Sequence, residues 1–214
     1  RYYLSRPLRS QGNRACSVPN SSIFFKPLIA GIGLYLIRGF ITGTDVSWGK
    51  VLFDLGALLL ISDTVFYGSH RLLHANKFLF RKIHAYHHRA TRPLPMDYMY
   101  AHPLEIMAEN IGTFLGIVLL GQISTLTLWA FGVIRVIHAV HTHSGISVPL
   151  SGSDPHDLHH FRFNGNYAFM FPVLDRLFGT EFRDLGKSQT IQTETRAPAT
   201  NQRKTIFHRL RRTS

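Results

Sequence analysis

Cysteine is almost missing from this 214-residue chain. Cys16 stands alone, so no intrachain disulfide and no thiolate zinc site of the CxxC kind can form. Acids are scarce as well: 12 Asp and Glu face 24 Lys and Arg, a formal net charge of +12. Charged residues make up only 17% of the chain and apolar ones 45%, which excludes disorder throughout. Several catalytic signatures are absent. Without HExxH there is no zincin, and without Glu-x-x-His there is no ferritin-like carboxylate di-iron bundle. Nucleophile-elbow and P-loop motifs are lacking too.

The charges that are present come in blocks. Residues 1–44 carry Arg1, Arg6, Arg9, Arg14, Lys26 and Arg38 and no acid, and residues 70–103 carry six basic residues against Asp97. Residues 104–150, in contrast, hold only Glu105, Glu109 and Arg135. A nucleic-acid-binding domain gathers its basic residues on one face. Here they flank apolar blocks, the positive-inside arrangement of a membrane protein. Four apolar stretches follow: Ile23 to Thr42, Val51 to Gly68, His102 to Leu120 and Thr125 to His141. Each is near the lower length limit for a span, so buried helices of a soluble bundle are the competing reading. Lys26 and Arg38 sit near the ends of the first stretch, where they can snorkel. Asp54 and Asp63 lie inside the second, where they are expected to face protein or water.

The expected fold is therefore all-α: an integral membrane bundle of about four transmembrane helices in two hairpins, with a histidine-rich, metal-binding cap on the cytosolic face. Residues 1–22 read as a basic N-terminal segment, whose Arg- and Ser-rich, acid-free composition also fits a transit peptide. Residues 23–186 read as the membrane domain and 187–214 as a basic, disordered tail.

Histidine is the abundant residue. Of 13, 12 lie between His70 and His160. They form modules: His70 with His74; His84 with His87 and His88; His138, His141 and His143; His156 with His159 and His160. Residues three and four apart share a helix face, so rings within a module can converge. A lone histidine on an apolar face is ordinarily a satisfied core residue. Several unpaired rings beside an apolar region would cost about 1–3 kcal/mol each, and metal ligation accounts for all of them together. The HxxxH and the two HxxHH modules supply more imidazoles than one first-row ion accepts, so two metals are expected. An imidazole set excludes Mg and Ca and permits Zn, Fe, Cu or Ni.

HRLLH, IHAYHH, HSG and HDLHH, in that order between apolar stretches, resemble the fatty acid hydroxylase superfamily, the membrane-bound histidine-box di-iron oxygenases. Asp63 to Tyr67, Tyr100 to Glu105, Gly165 to Ala168 and Asp175 to Thr180 add to the likeness, which covers about Val51 to Thr180. The wording is nearest to C-4 methylsterol oxidase and sterol desaturase-like members. The resemblance implies His70, His74, His84, His87, His88, His143, His156, His159 and His160 as ligands of two irons. His102 is a candidate orienting group or tenth ligand. His138 and His141 depart from the pattern of related sterol oxidases and are candidates for packing or ring orientation. Pro155 also departs, standing where many relatives have a further histidine. Asp63, Glu105, Asp157 and Asp175 are candidates for holding ligand N–H groups, with a cap or surface ion pair preferred at Asp175, beside Arg176.

The resemblance further implies O2-dependent oxidation of an unactivated C–H bond in a sterol, fatty acyl or other lipid-like substrate. Desaturation is the alternative outcome within the family, and a non-catalytic zinc-binding membrane protein is the alternative class. There is no GxGxxG fingerprint and no HPGG haem-attachment signature, so electrons are expected from NAD(P)H through a separate donor such as cytochrome b5 and its reductase. Arg71, Lys77, Arg81, Lys82, Arg89 and Arg92 suit an acidic donor and suit anionic lipid equally. The expected location is a multi-pass position in the endoplasmic reticulum, with the metal site facing the cytosol. No nucleic-acid partner is expected.

Overall fold

The computed structural model describes residues 21–182 apart from 45, 91–92, 149–150 and 153. The N-terminal residues up to 20 and the basic tail with His208 lie outside the described residues. Four longer helices carry the fold: α1 (Ser21–Leu36), α2 (Trp48–Ala75), α4 (Pro103–Leu120) and α5 (Thr125–Thr142). Shorter helices α3 (Lys77–Lys82), α6 (Asp154–Arg162) and α7 (Val173–Leu177) gather around the histidine-rich end of α2. Two helical 3-10 turns, His84–Arg89 and Pro95–Met99, link α3 to α4. The expectation of an all-helical chain needs a small correction. Strand β1 (Ile41–Thr42) pairs in parallel with β2 (Ile123–Ser124), and β3 (Ser147–Val148) pairs antiparallel with β4 (Ser151–Gly152).

The helix limits follow from local chemistry. Ser47 caps α2 by accepting the Lys50 N–H, and Ser124 caps α5 by accepting the Thr127 N–H. Asn76 serves two helices. Its N–H closes α2 on Leu72 O, while its side chain accepts from Phe78 and Leu79 to open α3. The second apolar stretch is thus only the middle of a helix that continues through His74. At 28 residues α2 is about 42 Å long. The first stretch is shorter than expected, because α1 stops at Leu36. There the Arg38 guanidinium donates to Tyr35 O, and the chain turns into β1.

The β1–β2 pairing clips the α1–α2 connection to the α4–α5 turn. Thr42 Oγ1 donates to Ile123 O at 3.1 Å, and Thr125 Oγ1 donates to Thr42 O at 2.7 Å. Beside this clip lies the apolar core of Leu58, Ile117, Ile123 and Phe131.

Elsewhere the bundle is polar inside and apolar outside. Asp54, Ser62, Asp63, Glu105, Thr113 and Thr127 are buried. Met107, Ile111, Leu115 and Val118 form an exposed stripe along α4, matched by Leu52, Phe53 and Leu60 on α2 and Val133, Val136 and Ile137 on α5. Trp48–Ala75 and Pro103–Leu120 are long and apolar enough to cross a membrane. Lys26 does not snorkel: its ammonium donates to Tyr98 O at 2.8 Å and pairs with Glu109 at 3.3 Å.

Helices α2 and α4 make the most extensive contact, with α1 against α4 and α5 against α2. Close approach of α2 and α4 depends on Gly112 and Gly116, a small-xxx-small pair. A Cβ at Gly112 would sit 2.9 Å from Ser62 Cα and O. Gly112→Leu is therefore expected to destabilise by about 1–3 kcal/mol, as overpacked sites do. Gly56, with nothing within 4 Å of its would-be Cβ, is the control. Gly56→Ala should be neutral or stabilise by up to about 1 kcal/mol. Thermal unfolding in a single detergent checks both.

Candidate metal centre

Four elements deliver nine imidazoles to one end of the bundle. His70 and His74 lie one turn apart near the end of α2. His84, His87 and His88 occupy the 3-10 turn after α3. His143 is the C-terminal cap of α5, and His156, His159 and His160 lie on α6. The rings sort into two groups whose ligand atoms all lie within 4.8 Å of one another: His70, His74, His84, His88 and His159; and His87, His143, His156 and His160. The HxxHH modules are split. In each, the i and i+4 rings stay together and the i+3 ring joins the other group.

In the five-histidine group His84 Nε2 is 3.1 Å from His70 Nε2, 2.8 Å from His74 Nε2 and 2.9 Å from His88 Nε2. His88 Nε2 also lies 3.1 Å from His74 Nε2 and 3.2 Å from His159 Nε2. In the four-histidine group His156 Nε2 is 3.1 Å from His143 Nε2 and 3.0 Å from His160 Nε2.

The outer nitrogens decide what those contacts mean. A carbonyl only accepts, so a ring bonded to one through Nδ1 carries its proton there and its lone pair on Nε2. His70 donates to Tyr167 O at 2.7 Å and His159 to Gly165 O at 2.7 Å. His87 donates to Tyr100 O at 3.1 Å, His143 to Ala139 O at 2.9 Å and His160 to Ala90 O at 2.9 Å. His74 is hydrogen-bonded to the backbone of Phe163, whose own N–H is committed to His159 O. His84 is committed through Nδ1 to Glu105 Oε1, so only His88 remains to supply a proton for five close contacts in the first group. The second group offers His156 alone for two. Lone pairs therefore face lone pairs, which is repulsive until a cation lies between them. Imidazole nitrogens bind first-row ions at about 2.0–2.1 Å, so opposite ligands stand about 4 Å apart, which these groups match in size. Burial, reinforced by neighbouring rings, holds His84, His87, His88 and His156 well below the usual imidazole range, and burial brings His160 to about 3. The rings are neutral, the ligating form.

The remaining candidates fall into different places. Glu105 Oε1 accepts from His84 Nδ1 at 2.8 Å and so backs a ring directly. Asp63 touches no ring. Its carboxylate accepts the N–H groups of Phe169, Met170 and Phe171 at 2.8–3.1 Å. His102 caps α4, its Nδ1 accepting the Leu104 N–H, and lies in neither group. His138 donates from Nε2 to Phe169 O at 2.7 Å. His141 and Asp157 are half-buried and also outside both groups. The preference for a cap or surface ion pair at Asp175 is corrected. This residue is 2% exposed and accepts from Tyr167 N, Ala168 N and Thr180 Oγ1 at 2.7–2.9 Å. Arg176 instead pairs with Glu181. The backbone carbonyls that hold the rings escape sequence reasoning. Their only trace is the Gly165 to Ala168 string.

The class so defined is a helical protein with long apolar helices that gathers two metal-sized groups of neutral imidazoles at one end. Residues 55–180 match the fatty acid hydroxylase family model, and the chain belongs to that family. It is 40% identical over 131 residues to methylsterol monooxygenase 1 of Rattus norvegicus, covering 57% of this chain and 44% of the relative. It is 36% identical over 147 residues to methylsterol monooxygenase 2-2 of Arabidopsis thaliana, covering 63% and 54%. Very-long-chain aldehyde decarbonylase GL1-11 of Oryza sativa subsp. indica is 35% identical over 157 residues, covering 68% and 58%. The chain spans about half the length of the curated relatives it matches. No solved structure matches it.

His138, His141 and His143 can be told apart by single Gln substitutions with metal counted per chain. His143→Gln is expected to lose one ion. His138→Gln should keep both ions, because an amide N–H still reaches Phe169 O, and His141→Gln should keep both as well.

Proposed function

We propose that the nine histidines His70, His74, His84, His87, His88, His143, His156, His159 and His160 hold two iron ions, and that the chain carries the oxidising centre of a membrane-bound lipid or sterol oxygenase. The observation that supports this most is the convergence of lone pairs, five imidazoles on one point and four on another, with too few protons to join them. Kinship to methylsterol monooxygenases supports iron over zinc and a sterol or related lipid as substrate.

Bound iron would supply O2 activation, for the net reaction R–H + O2 + 2 e⁻ + 2 H⁺ → R–OH + H2O. The protein's share is orientation and exclusion of water. Outer N–H bonds to Tyr167, Gly165, Tyr100, Ala139 and Ala90 carbonyls fix ring direction, and Glu105 raises the basicity of His84. Kinship to proteins named aldehyde decarbonylases supports a second outcome at the same centre, with an aldehyde as substrate. Desaturation is a third.

The membrane placement rests on the two long apolar helices and the exposed apolar stripes. We place the metal end in the cytosol because the basic block around Arg71, Lys77, Arg81, Lys82 and Arg89 adjoins it. That exposed face also suits an acidic electron carrier, with NAD(P)H as the ultimate donor. Four spans in two hairpins, with the endoplasmic reticulum as location, complete the proposal.

Two measurements test it. Detergent-purified protein should contain two irons per chain and consume O2 with reductant and sterol. His87→Ala and His159→Ala should each abolish turnover and lower iron content, since each removes a ligand from a different group. Redox-silent zinc with no O2 uptake would overturn the reading, and product analysis separates alcohol, alkene and aldehyde-derived hydrocarbon. For topology, Lys77→Cys in a Cys16→Ser background should label from the cytosolic side only.

A further inference from the structure

Three of the five rings in the larger group are held by one short segment. Phe163, Gly165 and Tyr167, alternate residues after α6, bond His74, His159 and His70 through their backbones. None of the carbonyls that hold His87, His143 and His160 comes from this segment; those belong to Tyr100, Ala139 and Ala90. The segment has an unusual backbone, with Phe163 at φ 64° and Asn166 at φ 54°. Such conformations cost energy in non-glycine residues and persist only where surroundings impose them.

From Tyr167 onward the segment is held by two buried carboxylates, neither touching a ring in either group. Asp175 takes the N–H groups of Tyr167 and Ala168, both at 2.9 Å, and is itself held by Thr180 Oγ1 at 2.7 Å. Asp63, from α2, takes the next three N–H groups, Phe169 to Phe171. Five consecutive backbone donors are thus claimed by two side chains. Asn166 ties the same stretch to Pro155 O and to the backbone of Phe182. A backbone so pinned leaves its carbonyls little freedom, and the Gly165 and Tyr167 carbonyls aim at two ligand rings.

We propose that Asp63 and Asp175 are positioning residues for one metal only, the ion of the five-histidine group, acting through the Phe163–Phe171 backbone. This rests on the two-metal reading above. A carboxylate accepts two N–H bonds with both oxygens, whereas an amide in its place turns a donor toward one of them. Asp→Asn should therefore release the segment while leaving side-chain volume nearly unchanged. Losing ligand orientation of this kind weakens metal affinity about 10- to 100-fold.

The experiment loads full-length protein in detergent with Co(II) and records the visible spectrum of each ion. Wild type should bind two ions with separable components. His143→Gln should remove the component of the four-histidine group and so identify it. Asp175→Asn and Asp63→Asn should each weaken or shift the other component by that factor and leave the four-histidine component unchanged. Asp63→Glu, which keeps the charge, should restore part of it. Thr180→Val, a milder change that removes one donor to Asp175, should act in the same direction and keeps the test valid if an Asn variant misfolds. Unchanged binding in all variants, or equal loss of both components, overturns the proposal. Failure of wild type to take up two ions overturns the two-metal reading itself.

Discussion

A neutral imidazole has one lone pair and one N–H, and placing the N–H decides where the lone pair points. That constraint governs the histidine end of this protein. Rings from α2, the turn after α3, α5 and α6 meet only because Tyr167, Gly165, Tyr100, Ala139 and Ala90 each present a carbonyl on the far side. Burial removes the alternative of protonating the rings, since an imidazolium there would lose its water without gaining a counter-charge. Glu105 is the exception, a carboxylate behind His84, a ring of the five-histidine group.

The rest of the bundle serves that requirement with apolar outer faces on α2, α4 and α5. Close packing holds the helices together. Gly112 and Gly116 let α4 lie against Ser62 and Leu58, and Phe114 lies over Gly33 of α1. Polar groups add fixed contacts: Lys26 with Glu109 and Tyr98, Lys50 with buried Asp54, and the threonine bonds of the clip at Ile41–Thr42. With the two connections joined at the clip, the opposite ends of α2 and α5 are held where His70, His74 and His143 are needed.

Carboxylates act at two removes from the metal groups. Glu105 touches a ring. Asp63 and Asp175 touch no ring; they hold the backbone N–H groups of residues 167–171, next to the Gly165 and Tyr167 carbonyls. His138 joins them from α5 through Phe169 O, and the Arg135 guanidinium lies 4.7 Å over the Phe169 ring. His138 is thereby tied to the same segment as the Gly165 to Ala168 string.

Much of this was legible in the amino-acid sequence. The apolar stretches beginning at Pro103 and Thr125 became α4 and α5 within a residue or two, because Pro103 at the first helical position, Ser124 as cap and Gly121 at positive φ act locally. Eight of the nine candidate ligands were legible from residue type and from i, i+3 and i, i+4 spacing, and His143 entered only through the resemblance to the family. Three things were not. The first helix ends early because Ile41 and Thr42 find partners 82 residues away, beyond any local signal. The division into five and four was hidden, because His87 and His88, or His159 and His160, are neighbours in the chain yet face different centres. The carbonyls that aim the rings were hidden as well, since every residue has one and only the tertiary fold decides which of them meets an imidazole. Residue chemistry is written along the chain, but ring direction in the two histidine groups is set by backbone groups that carry no sequence identity.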